Sequence, residues 1–294
     1  MTRHVLTAMV AVFAVLSTPF TSLAADDTIL ESITLSPVAK RYELKAGETR
    51  TDELTVVNDG KEAYDFIAYA KPYSVASENY DPDFNTEATN SDAYRWVKFD
   101  KPKYRLEAGA STTVKYTFTV PEDAAPGGHY GVLFVETQPK PIVGGGNAVA
   151  RKKRVGAILY ATVEGTYRTG GKQESLNVPF LQLSPPLTAV LKTANDGNTD
   201  FIDSVTFRVS DIFGTLKYEE KKDYPVLPQT ARKMTLEWKD ATSFGLYKVD
   251  VTSKFLDQSH NGSSFVLMIP AWALGILAAL VVGLIAYLIV RRYY

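Results

Sequence analysis

The chain has 294 residues, with 32 lysines and arginines against 33 aspartates and glutamates, a formal net charge of −1, and no cysteine. So even a balance argues against a nucleic-acid partner, which calls for a strongly basic face. The missing cysteine excludes thiol catalysis, cysteine-ligated metals and an immunoglobulin-type disulfide, so the fold must be held by core burial alone.

At the N-terminus, Arg3 precedes an apolar run from Val5 to Leu16, and small residues stand at Ser22 and Ala24. That pattern predicts a secretory signal over residues 1–24, cleaved before Ala25. The run is too short to cross a hydrocarbon layer of ~30 Å, which sets aside an N-terminal anchor.

Residues 25–264 carry 29 basic and 33 acidic side chains, a net charge of −4, and almost no helical periodicity. Short period-two runs recur instead. In "TTVKYTFTV", Val114, Tyr116, Phe118 and Val120 share one face; in "SVTFRVS", Val205, Phe207 and Val209 do so. "KMTLEWKD" aligns Met234, Leu236 and Trp238, and "GLYKVDVTSKF" aligns Tyr247, Val249, Val251 and Phe255. Strands with one wet face belong to antiparallel sheets, and many of them between turn signals predict β-sandwiches. "GHYGVLFVETQ" and "VGAILYATVEG" are apolar on both faces and read as central strands.

The tripeptide Asn-Asp-Gly begins at Asn58 and again at Asn195, each time between two alternating stretches. All three residues accept the left-handed backbone of tight hairpin turns, which is the role expected for them. Each copy follows a proline-bearing strand, "ITLSPVAKRYEL" or "FLQLSPPLTAV", and the repetition predicts a duplicated module. The expected fold is all-β: two tandem immunoglobulin-like sandwiches over residues 25–170 and 171–257, then a linker at 258–264. Gly144 to Gly146 are expected in a long loop of the first sandwich.

From Phe265 to Val290 there are 26 residues without a charge, followed by Arg291 and Arg292. About 20 apolar residues span a bilayer, and the positive-inside rule places the basic end in the cytoplasm. Residues 265–290 are therefore expected to form one transmembrane helix, with 291–294 as a cytoplasmic tail and the bulk of the chain outside. Ala271, Gly275, Ala279 and Gly283 form a small-residue stripe on that helix, a face on which a second copy could pack as a homodimer.

Chemistry is sparse. The exported part keeps only His129 and His260, and no HExxH, GxSxG or phosphate-loop motif occurs. Asp81, Asp83, Asn85, Glu87 and Asp92 have the hard-oxygen spacing of a calcium loop, but Thr86 replaces the turn glycine and Asp92 the bidentate glutamate. A solvated acidic loop is the plainer reading, and no cofactor is expected. Around that loop cluster Tyr80, Phe84, Tyr94 and Trp96, flat rings suited to stacking on sugars or anchoring a protein. Arg151 to Arg154 add four consecutive cations beside the glycine run.

The chain resembles bacterial cell-surface proteins of the WxL-interacting type. The residues that carry the resemblance are "YELKAGETRTDELTVVNDG", "YRLEAGASTTVKYTFTVPEDAAPGGHYGVLFVE" and "RVGAILYATVEG", then "TANDGNTDFIDSVTFRVSDIFG", "YPVLPQTARKMTLEW" and "FGLYKVDVTSKF". The resemblance implies a non-enzymatic, membrane-anchored scaffold whose partners are cell-wall glycan (peptidoglycan) and other surface proteins. The tandem order is also reminiscent of pilus chaperones, which are soluble. Two rival functions stand beside the scaffold: an assembly chaperone holding partner strands on an exposed β edge, and a wall hydrolase with paired carboxylates.

Overall fold

The computed structural model describes residues 32–138 and 152–293. The expected signal segment, Gly144 to Gly146 and Arg151 lie outside the described residues. The structure is mostly β, with one C-terminal apolar helix.

The first half forms a four-stranded sheet, β1-β3-β9-β7, and a five-stranded sheet, β2-β11-β10-β4-β8. The strands are β1 (Thr34–Ser36), β2 (Ala39–Leu44), β3 (Thr49–Val57), β4 (Tyr64–Pro72), β7 (Val97–Phe99), β8 (Tyr104–Leu106), β9 (Ser111–Thr119), β10 (Gly127–Thr137) and β11 (Arg154–Val163). Two short strands, β5 (Ser74–Val75) and β6 (Pro82–Asp83), pair within an excursion that leaves the end of β4. The second half forms a three-stranded sheet, β12-β14-β17, and a five-stranded one, β13-β19-β18-β15-β16. These are β12 (Gly171–Asn177), β13 (Leu181–Gln182), β14 (Leu187–Asn195), β15 (Phe201–Asp211), β16 (Leu216–Val226), β17 (Thr230–Trp238), β18 (Gly245–Phe255) and β19 (Gln258–Met268). Helix α1 runs Ala271–Tyr293.

Alternation decides which side chains enter each core. In β9, Val114, Tyr116 and Phe118 are buried while Lys115 is exposed; in β18, Tyr247, Val249, Val251 and Phe255 are buried. The first core gathers Leu54, Val114 and Phe118 from one sheet with Leu133 and Leu159 from the other. The second gathers Leu187, Leu191, Phe207, Leu236, Val249 and Val266. Each such fully buried side chain contributes roughly 1.5–3 kcal/mol, so disulfides are not needed. Strands β10 and β11 are internal in their sheet, as their two apolar faces require. Leu133 and Val135 of β10 face the core, whereas Tyr130, Val132 and Phe134 lie on its other face, covered by Tyr73, Phe84 and Leu227.

The halves repeat one device. Their leading strand changes sheet at a proline-bearing segment, from β1 to β2 in the first and from β12 to β13 in the second. The second member then pairs in parallel, β2 with β11 and β13 with β19.

Two expectations change. The Asn-Asp-Gly segments are not tight hairpins: β3 and β4 lie in different sheets, as do β14 and β15, and none of the six residues has positive φ. Each instead crosses between sheets around a buried asparagine. Asn58 Nδ2 donates to the carbonyls of Glu62 and Glu107, and its Oδ1 accepts the Gly60 amide. Asn195 Nδ2 donates to Thr199 and Val226, and its Oδ1 accepts the Gly197 amide.

Residues 258–264, expected as a linker, are the start of β19, which continues to Met268 inside the expected membrane segment. The turn between β18 and β19 is Leu256-Asp257, both with positive φ, the backbone that a two-residue hairpin loop demands. Only Ile269 and Pro270 separate β19 from α1.

Candidate functional site

The two sandwiches are joined by a network contributed by loops at one end of the second. Leu227 inserts among Tyr73, Tyr130 and Tyr160 on the outer face of the first sandwich. Asp200 is the polar centre. Its carboxylate accepts from Tyr130 Oη at 3.0 Å and from Arg41 at 2.6 Å, while its amide donates to the same Tyr130 oxygen at 2.9 Å. Arg41 also lies 4.0 Å over the Tyr160 ring. Burial, then the charge of Asp200, pushes the Tyr130 hydroxyl well above the ordinary tyrosine range, so it stays a donor. The backbones approach closely as well. The Gly128 amide donates to the Asn198 carbonyl at 2.8 Å. A Cβ on Gly127, whose φ is +125°, would lie 2.8 Å from that same oxygen, so a side chain there would force the halves apart.

The excursion 73–92 forms the second bracket. Tyr80, at φ +65°, accepts the Leu227 amide at 2.7 Å and shares a 2.6 Å hydrogen bond with Thr230. Arg232 stacks 4.2 Å over its ring. Glu78 accepts the Lys233 amide through its carbonyl and pairs with Lys192 at 2.7 Å through its carboxylate. A cleft of about 360 Å³ lies here, between Tyr73 to Val75, Ala88 to Asn90 and Leu227 to Thr230.

A larger groove, about 500 Å³, runs along β2 and is lined by Lys40, Arg41, Tyr42, Glu43, Arg50, Asp52, Tyr160 and Thr162. Among the described residues, β11 is the only strand paired with β2. The Ile158 amide donates to the Val38 carbonyl and the Glu164 amide to the Leu44 carbonyl. In a parallel ladder of this register the even-numbered residues of β2 bond to β11. Ala39, Arg41 and Glu43 therefore turn their backbone N–H and C=O groups outward.

The groove floor is rigid and polar. Asp52 accepts from Lys40 at 2.8 Å and from the Tyr42 hydroxyl at 2.5 Å, and Tyr42 shares a 2.7 Å hydrogen bond with Tyr116. Burial would raise the Asp52 carboxyl, but these hydrogen bonds hold it below the usual carboxylate range. Burial pushes the Tyr116 hydroxyl up to about 12. Arg50 stands 5.9 Å from the Tyr42 ring centre.

The residues singled out from sequence lie elsewhere. Asp81 accepts from Ser77, Asp83 accepts the amides of Asn85 and Thr86, Glu87 pairs with Arg95 and Tyr94, and Asp92 pairs with His129. Their carboxylates thus hold separate local partners, and Asn85 joins them only through its amide. Among the described residues no three His, Cys, Asp or Glu side chains converge on a point. Of the four rings, Tyr80 and Phe84 pack into the aromatic cluster beneath the excursion, and Trp96 is in the first core. Tyr94, half-buried, is hydrogen-bonded to Glu87. Ala93–Trp96 is a 3-10 turn that buries Ala93 and Trp96. Ala271, Gly275, Ala279 and Gly283 lie exposed along α1, and a Cβ on Gly275 or Gly283 would meet nothing within 4 Å. Asp200, Tyr130, Tyr160 and the outward edge of β2 were not singled out. Arg41 and Asp200 are 159 positions apart, and no local pattern announces such a pair.

No family model matches the chain, and no curated protein matches it in sequence. Solved structures similar to it include the CsuC–CsuE chaperone–adhesion subunit complex of Acinetobacter baumannii (12% identity, 79% of this chain and 97% of that one, TM-score 0.42). Others are the E. coli chaperone DraB (14%, 80% and 98%, 0.40) and the Salmonella enterica SafA pilin–SafB chaperone complex (12%, 80% and 96%, 0.40). These findings correct the expectation of a WxL-interacting surface protein. The segments that suggested it are turns and alternating strands, which any immunoglobulin-like sandwich needs.

Proposed function

We propose that this chain is a non-enzymatic, membrane-anchored assembly chaperone for extracytoplasmic surface proteins, which holds an extended segment of its client against the free edge of β2. The observation that carries this reading is the groove beside that edge, where Ala39, Arg41 and Glu43 present backbone groups without a strand partner among the described residues. An unpaired edge flanked by a groove is what strand addition requires: main-chain hydrogen bonds supply affinity and the groove supplies selectivity. Lys40, Arg41 and Arg50 against Glu43 and Asp52 leave the lining with one net positive charge, which suits an acidic segment or a chain terminus. The network around Asp200 keeps the second sandwich fixed at the groove's border, so the site is preorganised.

In this reading the two sandwiches are separate domains, broken near Gly170 and Gly171. Helix α1 is long and apolar enough to cross a membrane, and it anchors the ectodomain on the outer side. Pilin and adhesion subunits, named with the similar structures, are the first clients to try. The reading rests on the groove and not on that likeness.

A photoreactive residue at position 43 of the full chain, in intact membranes, tests this reading. One secreted protein should crosslink and should lose abundance when the chain is deleted. Glu43→Pro removes an outward N–H without touching the β11 ladder and should abolish capture while the protein remains folded. Unchanged client levels after deletion, or capture untouched by Glu43→Pro, would overturn the proposal.

A further inference from the structure

The end of the second sandwich that faces away from the first carries large apolar side chains in solvent. Phe213 is 87% exposed, Phe180 60%, Phe244 53% and Phe265 52%, with Leu183 and Leu246 beside them. Register places them at one level. Gly245 pairs with Met268, Asp211 with Tyr247, and Leu181 with Leu267. The hairpin tip at Phe213, the loop ending at Phe244 and the segment Phe180 to Leu183 therefore all surround the last residues of β19. Nothing in folding asks for this, since exposed patches of large apolar residues mark a surface that something else covers.

The chain itself indicates the cover. Two residues, Ile269 and Pro270, join β19 to α1, and two residues reach at most ~7 Å. Trp272, in the first turn of α1, meets the Phe244 ring in a T-shaped contact at 5.7 Å between centroids. Trp is the residue of the membrane–water boundary. Once α1 crosses a bilayer, loops level with its first turn have no position but the lipid surface. Charge does not oppose this. Lys217 and Asp211 at the same hairpin neutralise each other at 3.1 Å.

We propose that this end of the second sandwich is a lipid-docking surface: Phe213, Phe180, Leu183, Phe244, Leu246 and Phe265 sink into the headgroup–acyl boundary around the emerging helix. The apolar face of an interfacial helix sinks ~5–10 Å into that boundary, a depth within reach of these side chains. The ectodomain then stands on the bilayer through a ring of contacts and not on α1 alone. This inference rests on the anchoring role given to α1 above.

The chain's lack of cysteine makes the test clean. Single replacements Phe213→Cys, Phe180→Cys, Ser259→Cys and Leu280→Cys, each labelled with a polarity-sensitive fluorophore, are made in the full chain and reconstituted into phosphatidylcholine vesicles. Brominated lipid should quench the labels at 213 and 180 several-fold more than the label at 259, which sits at the opposite end of the β18–β19 hairpin. The label at 280 should be quenched most. Quenching at 280 with none at 213 and 180 would overturn the docking surface and leave the anchor standing. Labels at 213 and 180 shielded from both lipid and aqueous quenchers would mean that protein covers the patch, which also overturns it. No quenching at 280 would remove the anchor and the docking surface together.

Discussion

Asn58 and Asn195, 137 positions apart, make the same three hydrogen bonds: two from the side-chain amide to carbonyls and one received from the glycine two residues on. In each half the bond to the carbonyl four residues ahead closes the crossing between sheets, and the bond to a distant carbonyl pins it. Asn58→Ala strands two part-buried carbonyls and Asn195→Ala two buried ones, at a cost of about 1–2 and about 2–3 kcal/mol respectively. Urea unfolding of the purified protein should show this loss. Asn→Asp should be no milder, because a carboxylate would face two carbonyl oxygens.

Tyr130 and Asp200 are the contact that fixes the junction. Tyr130→Phe removes a donor and an acceptor at once, costing roughly 1–2 kcal/mol. Its distinctive mark is uncoupling. The two sandwiches should melt in separate calorimetric transitions, and trypsin should cut faster at Arg168, which bonds to Asn198 across the junction. Arg41 is partly exposed, so Arg41→Ala should have the smaller effect, weakened further by salt.

His129 is buried against Trp96, with Nδ1 2.7 Å from Asp92 and Nε2 2.8 Å from the Ala125 carbonyl. Both partners are acceptors, so the site suits an imidazolium that donates twice. Burial alone would lower the pKa, but Asp92 and the carbonyl outweigh it and raise it above the ordinary 6.5. A raised folded value means stability that is complete below 6.5 and lost as pH climbs through the folded pKa. Unfolding midpoints should therefore fall as pH rises above 6.5, and His129→Gln should flatten that slope.

Asp203 is buried in the second sandwich, where Thr193 and Ser253 donate to its two oxygens at 2.7 and 2.8 Å. Burial raises its pKa, and the two hydroxyls only partly offset this. Its contribution is complete below 3.8 and is lost as pH rises through the folded value, so the ionised form weakens the fold at neutral pH. Asp203→Asn should hold or raise the neutral-pH midpoint. Asp203→Ala, which leaves two hydroxyls without their acceptor, should lower the unfolding free energy at neutral pH by about 1–3 kcal/mol.

The strands were legible wherever one face met water. Alternation placed Val114, Tyr116 and Phe118 correctly because an antiparallel strand with one wet face writes its geometry into every second residue. The repeated tripeptide signalled duplication, yet its mechanism was hidden: a buried asparagine clamp and a left-handed turn use the same letters. Residues 258–264 read as a linker because their side chains are small and polar, although backbone pairing to β18 needs no particular side chain there. Trp96 reads as a binding ring because it follows the acidic loop, but the 3-10 turn Ala93–Trp96 carries it into the core. The groove along β2 was illegible for a different reason. An open strand edge is a property of what fails to pair, and Arg41 and Tyr160 meet only once β2 has crossed to the second sheet.

The two-residue joint at Ile269-Pro270 leaves no slack between β19 and α1. In the proposed arrangement, strand β19, 11 residues long and rising about 36 Å at ~3.3 Å per residue, would set the standoff between the bilayer and the first sandwich, whose β2 edge is the proposed receiving strand. In that arrangement any lean of the helix would swing the proposed receiving edge like the arm of a lever, so membrane thickness would become a control on where cargo is met.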